Sequence, residues 1–223
     1  MSGTPLLPFE LADSELLLVS DHLQAKADFL LVRIVAQRLK SPPDSRRTVL
    51  VSFHHDTARW NALAARTGVS LKVQAEEGNF TLLDAPPEAS PIALWNLIEH
   101  HIPILSENTV ISLKPVGLLL LDGLNFWDWI GVPLVEMKRV LRAIHARCIA
   151  ANVALVVTYH SVGGPGSEPR DLSNHQDPLY RLLLELNATH VEVLPLASGK
   201  SGAVSGEASQ DHGQFNTGCL TAM

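Results

Sequence analysis

Cysteine is nearly missing from this chain. Cys148 and Cys219 are the two among 223 residues, and neither lies in a C-x-x-C pair. That argues against both a disulfide framework and a zinc ribbon, and a reducing, intracellular compartment is the simplest one. Positive charge is also short: 17 Lys and Arg face 23 Asp and Glu, giving a formal net charge of −6. Autonomous nucleic-acid binding needs a concentrated positive surface, so a free-standing binder is not expected. A local basic face or a shared site in a complex stays open. The longest apolar runs fall far short of the roughly 20 residues that cross a bilayer. The stretch "MSGTPLLPFELADSE" has no basic segment leading into a long apolar one, so no secretory signal is read there. A soluble protein of the cytoplasm or nucleus, without membrane association, is expected. There is no G-x-S-x-G elbow, which leaves α/β-hydrolase chemistry unsupported.

What is present is alternation. "ELLLVS" (15–20), "TVLVSF" (48–53), "FTLLDA" (80–85), "GLLLLDGLNF" (117–126), "VALVVTYHS" (153–161) and "HVEVLPL" (190–196) read as strands. Between them lie stretches of helical period. Leu23, Ala27, Leu30, Leu31, Ile34 and Val35 repeat on one face after the first strand. Further helices are expected from Asp56 to about Arg66, Pro91 to Ile102, Pro133 to Ala151, and through "PLYRLLLELN". Strands alternating with helices predict an α/β fold with a mostly parallel sheet covered on both faces. The expected organisation is an extension over 1–14, one domain over 15–196, and a small, polar tail or incomplete hairpin arm over 197–223.

The first strand–helix junction, "LVSDHLQAKADFLLVRI" (18–34), has no glycine. Yet Ser20, Ala25, Lys26 and Ala27 fall where G-x-x-x-x-G-K-[ST] places its fixed residues. Such a loop works by curling backbone N–H groups around phosphates at a helix N-terminus. A Cβ at 20 and 25 penalises that geometry, and Ala27 has no lone pair for Mg²⁺. The plain reading is an ordinary turn with Lys26 in solvent. "LLLLD" ends in Asp122, where phosphate-loop proteins hold metal; the plain reading is a buried strand ended by Asp-Gly. No glutamate follows Asp122, and Glu88 is a weak substitute among prolines. Gly199, Lys200 and Ser201 spell G-K-S, but Leu194 stands where the first glycine belongs, so this is no phosphate loop.

Three further clusters stand out. His54–His55 and His100–His101 are adjacent pairs whose side chains diverge, and His145 with Cys148 lacks further ligands, so no metal site is expected. Phe126, Trp127 and Trp129 are either a core flap or an aromatic anchor for a partner subunit. Lys138, Arg139, Arg142, His145 and Arg147 gather on one helix, read as a solvated face or as help for a phosphate backbone. Arg170, in the loop-like stretch 162–177, is a second phosphate candidate.

With these pieces placed, the chain resembles subunit six of the Elongator complex. The resemblance rests on "TVLVSFHHDTARWNALAARTGVSLKVQAEEGNFTLLDA", the glycine-free junction, "LLLLDGLN", "VALVVTYHS" and "LPLASGKSGAVSG", and spans about residues 15–206. It implies a RecA-like fold with a degenerate nucleotide site at Ser20, Ala25, Lys26, Ala27 and Asp122. It further implies a hexameric ring with subunits four and five, which joins the catalytic Elongator subcomplex, binds tRNA and supports wobble-uridine modification. On this reading the chain is not an enzyme and holds no cofactor of its own. Arg170, Arg139 and Arg142 are its candidate tRNA contacts. The alternative is an active ATPase with a divergent loop around Lys26 and metal at Asp122. The sequence departs from the family's pattern after "VSG", and Ala203 stands where the family has aspartate.

Overall fold

The computed structural model describes residues 11–22, 25–40, 46–53, 55–85, 90–102, 114–161, 177–186, 189–194, 207–211 and 218–221. Six parallel strands form the centre: β1 (Leu16–His22), β2 (Arg47–Ser52), β3 (Phe80–Asp84), β4 (Val116–Asp122), β5 (Ala154–Ser161) and β6 (Thr189–Leu194). Two short strands, β7 (Glu207–Asp211) and β8 (Gly218–Thr221), continue the sheet antiparallel beyond β6. The strand order is β3-β2-β4-β5-β1-β6-β7-β8.

The central strands are apolar on both sides because both sides are covered. Leu17, Val19, Leu50, Leu118, Leu120 and Val156 face one core. Against it pack α1 (Asp28–Lys40), α2 (Thr57–Ala65) and α3 (Leu71–Glu76). Leu18, Val51, Leu119, Leu121, Leu155 and Val157 face the other core. It is covered by α4 (Pro91–His101), α5 (Asn125–Trp129), α6 (Leu134–Ala150) and α7 (Pro178–Glu185). Helix ends follow local chemistry. The Asp56 carboxylate accepts the Arg59 amide at 2.8 Å to start α2, and Asp177 accepts the Leu179 amide at 2.7 Å to start α7. Ser90 caps α4, with Pro91 in the first turn where its missing N–H costs nothing.

The fold is α/β with a mostly parallel sheet, as expected, but three details differ. β1 runs two residues past Ser20, so Asp21 and His22 still pair with His160 and Ser161 of β5. The expected strand 117–126 stops at Asp122. Gly123 has φ +89°, a left-handed conformation that glycine adopts freely, and residues 125–129 then turn into α5. The third is α3, which was not expected. It is too short to show a helical period, yet Ser70 caps it by accepting the Val73 amide.

Candidate functional site

In an open parallel sheet, side chains converge where the strands end, beyond their C-termini. Here β1 and β4 deliver two buried carboxylates to that edge, Asp21 and Asp122, each 1% exposed.

Asp21 closes the first junction from within. Its Oδ2 accepts the backbone N–H of Ala27 at 2.7 Å, immediately before α1. Its Oδ1 lies 2.6 Å from His160 Nδ1. A carboxylate oxygen accepts, so Nδ1 carries the proton. His160 is held in turn by Asn125, whose Oδ1 accepts the His160 amide at 2.6 Å and whose Nδ2 donates to the His160 carbonyl at 2.9 Å. Residues from β1, the start of α1, β5 and α5 are thereby tied into one polar knot. The positive dipole end of α1 thereby meets a carboxylate supplied by the chain itself, bound to the N–H of the residue before the helix.

Asp122 has different partners. Thr158 Oγ1 donates to its Oδ1 at 3.1 Å and Ser52 Oγ to its Oδ2 at 3.3 Å. Burial pushes its carboxyl up to about 6, against the opposing pull of His55 and His160. The His55 amide donates to Ser52 Oγ at 3.1 Å. The His55 ring stands 3.6 Å from Asp28 Oδ1, and Arg59 reaches Asp28 Oδ2 at 3.2 Å. The nearby His55 ring, with Arg59 assisting, holds Asp28 down at about 2, and Asp28 raises His55 in return.

The structure separates the sequence candidates. Ser20 is 1% exposed, and its Oγ lies 2.8 Å from His190 Nε2, which also meets the Tyr180 hydroxyl at 3.2 Å. Ala25 and Ala27 are buried in the α1 core, while Lys26 is exposed. Asp122 is on the same sheet edge but two strands away from β1, with β5 between them. Among the aromatics, Trp127 is fully buried, edge-on to Phe53 at 5.6 Å, and Phe126 stacks on Phe53 at 6.4 Å. Trp129 is 62% exposed. Arg139 and Arg142 are exposed on α6, whereas Arg147 donates to the Ile102 carbonyl at 2.7 Å. Burial drives the Cys148 thiol up to about 12, which makes it inert. No metal-competent group of His, Cys, Asp and Glu occurs among the described residues. Arg170, Glu88, His54 and Lys200 lie outside the described residues.

Sequence reading passed over Asp21, Asn125, Ser52, Thr158 and His160. The available signal was positional: each is a polar residue at or just past the end of an apolar strand, in a sheet where those ends meet. No protein-family model matches the chain, and no curated protein sequence matches it at a significant level.

Proposed function

We propose that this chain is a non-catalytic, RecA-like subunit of the Elongator type, acting as architecture in a hetero-hexameric ring. One observation carries the non-catalytic part of the reading: the Asp21 carboxylate occupies the start of α1, where a phosphate loop would hold its phosphate. A nucleotide phosphate there would meet a buried carboxylate of its own charge. The neighbouring chemistry agrees. β1 stays paired to β5 through His22, where a phosphate loop must already curl away. Ala27 has no hydroxyl for Mg²⁺, Lys26 points to solvent, and both Asp122 oxygens hold hydroxyl donors. The strand order, with the Asp122 strand separated from β1 by β5, supports the RecA-like class.

On this reading the partners are the two related ring subunits, four and five, and through them the catalytic subcomplex. tRNA is bound by the assembled ring, since a chain of net charge −6 is a poor RNA ligand alone. Co-expression with the two proposed partners, followed by native mass measurement, tests the reading. A complex holding all three chains is the expected result. A monomer that ignores both partners overturns it. Salt-sensitive tRNA binding is expected of the complex and not of the isolated chain.

A further inference from the structure

Helix α6 has two regular faces, and the fold uses one. Met137, Leu141, Ile144 and Cys148 are spaced by four, three and four residues and are buried in the core. Val135, Arg139, Arg142, Ala146 and Ile149 are spaced by four, three, four and three, on the opposite side, and all five are exposed. That alternation is the seam spacing of helices that pack along their length. A solvent face is usually charged throughout. This one places Val135, 77% exposed, near one end and Ile149, 49% exposed, near the other, about 21 Å apart at 1.5 Å per residue. The two arginines lie between them. The end of α5 and the residue after it add the exposed Trp129 and Ile130.

We infer that this outward face of α6 docks an acidic amphipathic helix of a partner protein, apolar at its ends and carboxylate-bearing at its centre. Charge selects that occupant. Arg139 and Arg142 lie on this face with Lys138 beside it, whereas Glu136, the one acid of α6, falls outside the 135–139–142–146–149 line, in a chain of net charge −6. A second copy of this chain fits poorly. Whether parallel or antiparallel, matching the apolar ends puts Arg142 against Arg142. Nucleic acid also fits poorly, because a phosphate backbone gains nothing from Val135, Ala146 and Ile149 on the same line as the arginines. The inference rests on α6 alone and survives failure of the Elongator reading.

The test uses the full chain and three fluorescent probes at about 0.15 M salt, where exposed long-range charge effects are screened. One is a synthetic three-heptad helix with leucine opposite Val135 and Ile149 and glutamate opposite Arg139 and Arg142. The second carries lysine in place of those glutamates. The third is a single-stranded RNA of similar length. The acidic helix is expected to bind the wild type. R139E/R142E should weaken it at least about tenfold and make the lysine helix the better ligand. V135D/I149D, which keeps both arginines, should weaken the acidic helix by about the same factor. All four positions are exposed, so unchanged melting curves are expected of both double variants. Failure of the acidic helix to bind the wild type at about 100 μM overturns the inference. So does RNA binding that exceeds it and is untouched by V135D/I149D, which would return the arginines to a nucleic-acid role.

Discussion

The β1–α1 and β4–α5 junctions end on the same edge of the sheet, and each buries one carboxylate to 1% exposure. Their solutions differ. At the first, Asp21 receives a backbone N–H from the helix it precedes and a ring N–H from His160. At the second, Asp122 receives hydroxyls from Thr158 and Ser52, and burial raises its carboxyl to about 6. The first carboxylate fastens a strand to a helix. The second is a charge whose burial costs stability near neutral pH. Residue identity alone does not separate them; what separates them is which donors the fold brings to each.

Among the carboxylates, substitution at Asp21 should have the largest effect. Asp21→Ala leaves the Ala27 amide and the His160 Nδ1 without their acceptor, and should cost about 3 kcal/mol by chemical denaturation. A loss below about 1 kcal/mol would mean that the knot is incidental. Asp122→Asn should act in the opposite direction. The amide can still accept from Thr158 and can donate to Ser52 Oγ, which accepts as readily as it donates. A carboxyl raised from 3.8 to about 6 binds its proton more tightly in the folded state. Stability therefore falls as pH rises from about 4 to about 6 and stays low above that. Asp122→Asn should remove this slope, stabilising the protein by about 2 kcal/mol at pH 8 and leaving it little changed at pH 4.

A smaller effect is expected beside this junction, at Asp28. Its folded value of about 2 lies below 3.8, so its contribution is present above about pH 4 and is lost as pH falls towards 2. Asp28→Asn should cost about 1 kcal/mol at pH 5 and should lower the pKa of His55, readable by NMR titration of the ring. The smallest effect separates neighbours within α5. Trp129→Ala should change stability by less than about 0.5 kcal/mol, as at other exposed sites, whereas Trp127→Ala, emptying a fully buried site, should cost about 4 kcal/mol.

Much of the sheet was legible because a buried parallel strand must be apolar throughout, and runs such as Leu118–Leu121 are. Most of the helices were legible from their inward faces. The site was far less so. Asp21 and His160 are 139 residues apart, and only the pairing of β1 with β5 places them together. In the sequence Asp21 occupies one of the unconstrained positions of a loop motif whose fixed lysine, Lys26, is in solvent. The short helix α5 was hidden because "GLNFW" continues an apolar run; Gly123 ends the strand through its φ, which a run of apolar letters does not reveal. Trp127 and Trp129 looked equivalent for the same reason. A strand would turn side chains two apart to the same face, whereas one turn of helix separates them, one to the core and one to water.

The central claim is that at the first junction Asp21 ties strand to helix and takes the place a phosphate would need. Calorimetric titration of the isolated chain with Mg²⁺–ATP tests it most directly, on the wild type and on Lys26→Ala. The account predicts no saturable binding below about 1 mM in either protein. Micromolar, Mg²⁺-dependent binding by the wild type, abolished in Lys26→Ala, would contradict it and restore the divergent ATPase.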